Sequence, residues 1–468
     1  MARNLIVVVA DTLRHPEFLP GFADGGLMPF LSGMLSKACV LDRVIASSCW
    51  TPPSHVSLLS GLGPWQTHFH LVKSVHQVPE APFIGDLWRK DGGSTIAFSA
   101  NFLVSPALGT ARGYDQYNPG LPTRVAGVAL QGLQAVGFEQ LLYKSMARAL
   151  RPGSGGTANF EARAVQIGGL GVHKALLPFY AGDRLEHALS RHLRLGTGSA
   201  PVHLFVNLME AHEPYFPHHF PDGGTPELGY LPTVNYARHT GYLSRTKGAP
   251  GLLKAYTQAV RDLDKRWQGI FTLLHRHGLL NDAAVLFVSD HGQALGEHGF
   301  YGHGFFLHDE LVRIPAYYWE FQGGKPVELP KVTADWVDHR HLFDLLSASV
   351  TQPGMVSPQT VLAESLERRG PAVSYWEGPT PRPPGGFLRP APRSEFNRVV
   401  RVMKGSESVQ VSEVGQSGTL LFDPGAEGSA LSEYAAGLLG RGRVPDSGSQ
   451  PAEVSPEVDG RLRSWGYD

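Results

Sequence analysis

The chain has 468 residues, 42% hydrophobic and 18% charged, with a formal net charge of -1. That length allows one large domain with a smaller partner, or two to three ordinary domains. The near-neutral balance offers neither a basic face for nucleic acid nor an acidic tail for a disordered partner arm, so no nucleic-acid partner is expected.

Histidine is the compositional outlier, at 21 residues. Lineage bias explains this as well as metal or acid–base chemistry does, because His serves both as ligand and as titrating group. Two cysteines, Cys39 and Cys49, make no disulfide framework and fit a reducing compartment. The N-terminal run "LIVVVA" is too short for a membrane helix and has no small-residue cleavage site after it. A soluble, cytoplasmic protein without a membrane span is therefore expected.

In chain order, "NLIVVVAD" (Asn4–Asp11) reads as a strand covered on both faces, because its β-branched run is continuous rather than alternating. "MPFLSGMLSKA" has helical apolar spacing. Pro82–Gly93 reads as a helix with a glycine stop, followed by the strand "STIAFSAN". His203–Glu210, "HLFVNLME", is another buried strand. Leu252–Leu280 is a long amphipathic helix ending near Gly278, and Ala283–Asp290 is a further strand. Strands alternating with helices predict an α/β fold, a large and mostly parallel central sheet with helices on both faces.

Three regions break this rhythm. Gly120–Ala200 holds helical pieces around "RPGSGGT" and reads as an insertion, either a substrate entrance or a structural cap. Trp376–Phe396 is rich in Pro and Gly and reads as a long loop. Asn397–Asp423 reads as short strands with turns, followed by the helix "ALSEYAAGLLGRG", and Asp446–Val458 as a solvated linker. The expected organisation is a catalytic domain at 1–350 with an insertion at about 120–200, a small α+β subdomain at 355–445 and a tail at 446–468.

Two strands end in an acid, at Asp11 and at Asp290, and the second runs on into His291 and Gly292. Ligands gather at the carboxyl ends of strands in open α/β sheets, although a strand-end Asp is also a common loop anchor. Two carboxylates and an imidazole offer hard oxygens with a borderline nitrogen, a set that favours Zn or Mn and admits Ca or Mg. The stretch "SSCWTPPSHVSLLSG" puts Thr51 ahead of a Pro-Pro pair and a helix-spaced run. Thr51 thus sits at a helix N-terminus, where free N–H groups and the dipole favour an anion. On local sequence its hydroxyl reads first as a helix cap and second as a nucleophile.

Four segments in order, "NLIVVVADTLR", "SCWTPPSHVSLLSG", "LFVNLMEAHEPYFP" and "VLFVSDHGQALGEHGFYGHGFFLHDELVRIP", resemble the sulfatase-like branch of the alkaline phosphatase superfamily. That group includes sulfatases, phosphonate monoester hydrolases and phosphoglycerol transferases. Weaker echoes are "WVDHRHLFDLL" and "TLLFDPGAEGSALSE". The resemblance implies a divalent metal site of Asp11, Thr51, Asp290 and His291, and it admits a second ion. It implies Thr51 as nucleophile, His212, His303 and His55 as catalytic candidates, and His212, His298 and His303 as substrate-binding candidates. Arg313 matches a recurring, structural arginine. Thr12 stands where many sulfatases carry a second Asp.

The departures set the chemistry. Sulfatases convert a Cys or Ser in C/S-x-P-x-R into formylglycine, but Thr51 stands at that position and His55 in the arginine slot. Cys49 is out of register with the pattern. The expectation is therefore a metal-dependent hydrolase or phosphotransferase that acts on a small-molecule phosphate ester through a covalent phospho-threonine. The alternatives are a sulfatase or other ester hydrolase lacking formylglycine, for which the substrate would be a sulfate ester, and a non-catalytic metal-binding relative.

Overall fold

The computed structural model describes residues 3–67, 81–90, 92–99, 101, 103–106, 109–118, 190, 201–212, 249–299, 301–304, 306–332, 334–352, 354–379, 396–414 and 419–441. Apart from residue 190, the insertion at about 120–200 lies outside these, as do the middle of the Pro/Gly-rich segment and the tail at 446–468.

The strands in chain order are β1 (Asn4–Ala10), β2 (Cys39–Val40), β3 (Val44–Ile45), β4 (Ser94–Ser99), β5 (Gln116–Asn118), β6 (Val202–Leu208), β7 (Asp282–Ser289), β8 (Ala294–Leu295), β9 (Tyr301–Gly302), β10 (Ala316–Gln322), β11 (Lys325–Val327), β12 (Val337–Asp338), β13 (Ala372–Pro379), β14 (Phe396–Lys404), β15 (Glu407–Val414) and β16 (Thr419–Phe422). The main sheet has the order β11-β10-β7-β1-β6-β4-β5, with β2 paired to β10. β7, β1, β6, β4 and β5 are parallel, while β10, β11 and β2 run antiparallel at one edge.

The continuous apolar runs have the expected cause. Ile6, Val8 and Ala10 of β1 point into one core, shared with Trp267 and Ile270 of the long helix Ala249–Arg276. Leu5, Val7 and Val9 point into the other, with Val56 of helix Thr51–Ser60 and Leu342 of helix His339–Thr351. A strand covered on both faces needs apolar residues at every position. The expected α/β class, a mostly parallel sheet between helices, is the observed one, and a small C-terminal antiparallel sheet accompanies it.

That smaller sheet has the order β13-β14-β15-β16, and helix Ala430–Arg441 packs on it through Leu431, Ala435 and Leu438. Here the sequence reading needs correction. The Pro/Gly-rich segment is not loop throughout, because Trp376–Pro379 completes β13 and pairs with the start of β14. Long-range pairing and the burial of Trp376, whose indole Nε1 donates to the Gly304 carbonyl at 3.0 Å, override the local composition. Among the described residues, no helix is long and apolar enough to cross a membrane.

Candidate metal and nucleophile site

Asp11 and Asp290 follow β1 and β7, which lie side by side in register, with Ala10 opposite Ser289. Adjacent parallel strands therefore deliver both carboxylates to the same sheet end, wholly buried. Asp290 Oδ1 accepts from the backbone N–H groups of His291 (2.8 Å) and Thr12 (3.1 Å). Asp11 Oδ2 accepts from the Asn101 side-chain amide at 2.8 Å. The other two oxygens, Asp11 Oδ1 and Asp290 Oδ2, are buried without a hydrogen-bond donor.

His291 supplies the third donor. Its Nδ1–H donates to the Gly292 carbonyl at 2.9 Å, which fixes the tautomer and makes Nε2 the acceptor nitrogen, facing the Thr51 hydroxyl. Nε2 stands 3.3 Å from Asp290 Oδ2 and 4.0 Å from Asp11 Oδ1. Position 292 takes glycine because the Glu310 backbone packs against it: a Cβ there would sit 2.0 Å from the Glu310 carbonyl oxygen.

Thr51 is the first residue of its helix, not the cap. The cap is Trp50, extended at φ −157°, and it makes no side-chain capping bond. The Thr51 hydroxyl is therefore free of capping duty and lies 3.3 Å from His291 Nε2. The anion-binding reading of this helix end is weakened, since Pro52 and Pro53 carry no N–H. Thr12, in the slot of a second acid, adopts φ 59°, unusual for a β-branched residue, and its hydroxyl turns back to the Asp11 carbonyl at 2.7 Å.

Two carboxylates this close repel each other in a dry site. Burial, then the Asp290 charge, push Asp11 up to about 6. Burial pushes Asp290 up to about 7, against the lowering effect of the N–H groups of Thr12 and His291. Asp11, Asp290 and His291 can each direct one ligand atom to a common point, with all three atoms within 4.8 Å of one another. Orphaned carboxylate oxygens, a histidine held in its ligand tautomer and an adjacent hydroxyl fit a divalent cation.

The other expected residues divide. His303 packs 4.6 Å from the His291 ring and 4.9 Å from the His212 ring, so both join the cluster. His303 Nδ1–H donates to Gln293 Oε1 at 2.8 Å. His298 stands apart: its side chain is 55% exposed, its ring stacks on His308 at 4.2 Å, and Nε2 lies 3.7 Å from Glu310 Oε1. His55 is wholly buried beneath the site, with one ring nitrogen on the Thr51 carbonyl (3.0 Å) and the other on the Asn207 amide (3.2 Å). Both nitrogens are engaged inside the protein, which removes the expected catalytic His55 from proton exchange with substrate. Arg313 pairs with Glu17 at 2.6 Å and sits over Phe18 and Trp336, a structural placement. Cys49 is buried against Trp376 and Leu307.

Sequence reasoning missed four residues. Asn101 and Gln293 orient Asp11 and His303. Asn207 holds His55. His339 accepts from Ser47 N–H at 3.1 Å and donates to the Ser289 carbonyl at 3.1 Å, tying the approach to Thr51 to the approach to Asp290. The available signal was polarity out of place, as with an Asn inside the apolar strand "VHLFVNL".

A family model described as Sulfatase matches residues 3–346. The chain belongs to the Sulfatase family. That is the family the four sequence segments resemble. The chain is similar in fold to the phosphonate monoester hydrolase of Agrobacterium radiobacter, with a TM-score of 0.52 at 14% identity over 94% of each chain. It is equally similar to a putative sulfatase from Bacteroides thetaiotaomicron, with a TM-score of 0.52 at 14% identity over 94% of this chain and 91% of that one. In sequence, 71 residues are 38% identical to the phosphatidylethanolamine transferase Mcr-2 of Escherichia coli, covering 14% of this Sulfatase-family chain and 13% of that protein.

Proposed function

We propose that this Sulfatase-family protein is a divalent-metal-dependent phosphoesterase or phosphotransferase in which Thr51 is the nucleophile. The observation that carries this is the Thr51 hydroxyl, 3.3 Å from His291 Nε2 and beside two donor-less carboxylate oxygens. A threonine cannot enter the formylglycine route open to Cys or Ser, which turns the reading from sulfate to phosphate esters. The similarity to a protein named as a phosphatidylethanolamine transferase supports it, because phosphatidylethanolamine is a phosphodiester.

Asp11, Asp290, His291 and Thr51 would hold the ion, and their mixed oxygen and nitrogen donors suit Zn or Mn. When bound, the ion supplies positive charge that acidifies a hydroxyl and neutralises charge building on the phosphoryl oxygens. The chain's own residues do the rest. Asn101 and the N–H groups of Thr12 and His291 hold the two carboxylates in position. The Thr51 Oγ–P bond forms as the bond from phosphorus to the leaving oxygen breaks. Thr51 gives up its proton to solvent or to the bare Nε2 of His303, and the leaving oxygen takes one from solvent. His303, with its Nδ1–H engaged by Gln293, presents Nε2 as a proton acceptor, and His212 packs beside it at the substrate side. Water or an acceptor hydroxyl then releases the phospho-threonine.

The test is turnover of aryl phosphate monoesters, phosphodiesters, phosphonates and sulfate esters by protein of measured metal content. Intact mass after a quenched reaction is expected to show one phosphoryl group, absent from Thr51→Ala. A Thr51→Ala protein that turns over phosphodiester at the wild-type rate would end the proposal.

A further inference from the structure

Beneath the site runs a buried polar chain whose middle members, His55, Asn207 and Ser99, have no part in the proposed chemistry. It begins at the Thr51 carbonyl, which accepts from His55 Nδ1 at 3.0 Å. A carbonyl only accepts, so in a neutral imidazole Nδ1 carries the proton and Nε2 is bare. Nε2 takes its hydrogen bond from the Asn207 side-chain amide at 3.2 Å. That leaves Asn207 Oδ1 facing the Ser99 hydroxyl at 3.5 Å. The same hydroxyl donates to the Asn101 carbonyl at 2.9 Å and accepts from Asn101 N–H at 3.2 Å. Asn101 then reaches Asp11 Oδ2 at 2.8 Å.

Every member is between 0% and 3% exposed. Asn207 and Ser99 lie opposite each other on the paired strands β6 and β4, whereas His55 comes from a helix that crosses above them. The chain therefore joins the element that carries Thr51 to the strand ends that carry the metal-site acids. His55 Nδ1 also stands 3.5 Å from Asp290 Oδ2, so the ring touches both halves of the site.

We infer that His55 and Asn207 are positioning residues: Asn207 locks the His55 ring in its Nδ1–H form, and that N–H fixes the first helical turn so that Thr51 Oγ faces Asp11, Asp290 and His291. A charged arginine in this slot could reach a substrate from the same turn. The buried imidazole works inward instead and leaves substrate anions to other groups. A polar residue buried near the end of a mostly apolar strand is costly unless hydrogen-bonded, and Asn207 is bonded to this ring.

The inference rests on Thr51 as nucleophile, so the experiment has one arm that does not need turnover. In the wild-type protein, the backbone-assigned histidine nitrogen spectrum is expected to show His55 as a neutral ring protonated at Nδ1. In Asn207→Leu that signal is expected to become a tautomer mixture. A wild-type ring protonated at Nε2 overturns the inference whatever the activity. In the turnover arm, His55→Leu and Asn207→Leu are each expected to lower kcat about 10- to 100-fold, with KM and metal affinity nearly unchanged. The double variant is expected to lose no more than the worse single one, because the two act through one bond. Additive losses, losses that follow metal affinity, or full kcat in folded Asn207→Leu would overturn it. A wild-type protein inert toward every ester would instead sink the functional reading, and the spectrum would then decide the geometry alone.

Discussion

The Thr51 hydroxyl and His291 Nε2 face each other at 3.3 Å although 240 residues separate them in sequence. No local feature of either segment requires this meeting; the strand order creates it. The chemistry proposed for the site depends on it. Replacing Thr51 by Ala is expected to lower kcat by about 10³-fold or more even in saturating metal, where Asp11, Asp290 and His291 still hold the ion. Thr51→Ser keeps a hydroxyl and is expected to retain measurable turnover and a covalent phosphoryl adduct. Steady-state kinetics, metal analysis and intact mass on the same preparations decide the point. Activity of Thr51→Ala that returns to the wild-type level in saturating metal would make the residue a ligand without a nucleophilic role.

Metal-free protein has a distinctive pH dependence at this site. Asp11 is pushed up to about 6 and Asp290 to about 7, from 3.8 when unfolded. The folded state thus holds protons that the unfolded state has already released. Their contribution to stability falls as pH rises from about 4 to about 7. Asp11→Asn removes one charge and is expected to melt higher than wild type at about pH 8 without metal, with the gap closing toward about pH 4. The same variant is expected to lose the melting-temperature rise that Zn or Mn gives the wild type. Metal binding to wild type should release protons and tighten through pH 6 to 7, which calorimetry in buffers of different ionisation enthalpy measures. A metal-free Asp11→Asn protein less stable than wild type at high pH would contradict the electrostatic account.

His303 and Gln293 form a test of the substrate side. Gln293 Oε1 accepts the His303 Nδ1 proton at 2.8 Å, leaving the opposite ring nitrogen to face away from that bond. His303→Ala is expected to lower kcat/KM by about 10²-fold or more, and Gln293→Leu by about tenfold through loss of ring orientation. Melting temperatures in saturating metal should stay close to wild type for both. Equal and complete loss of metal from His303→Ala would place that ring among the ligands instead.

Asp338 anchors the start of the helix that carries His339. Its carboxylate caps helix His339–Thr351, pairs with Arg340 at 2.6 Å and accepts from Val373 N–H at 2.7 Å. Burial alone would raise its pKa, but Arg340 and His341 override that and hold it far below the usual carboxylate range. A depressed folded pKa adds stability that is present above the unfolded value of 3.8 and lost as pH falls beneath it. Asp338→Ala strands the Arg340 charge and is expected to cost on the order of 3–5 kcal/mol, read as a lower urea midpoint. A midpoint within error of wild type at neutral pH would show that this network carries little stability.

The sequence determined the strand and helix types, because period and continuity of apolar residues are local properties. Asn4–Ala10 and Asp282–Ser289 are unbroken apolar strands ending next to acids, and that is readable without partners. Family register brought Asp11, Thr51, Asp290 and His291 into one expected set, and the structure brings them together. It also brought in His55 and His298, which the structure sends to the core and to the rim. Sequence spacing cannot show which way a ring points, because that is decided by neighbours from distant strands. Asn207 and Asn101 became legible only once β6 and β4 lay side by side, as hydrogen-bond partners of His55 and Asp11. Composition likewise made Trp376–Pro379 read as loop, and only its pairing with β14 made it strand. Local residue pattern set the elements and the donor types; burial and lateral strand order, which are properties of the whole chain, set their orientation and partners.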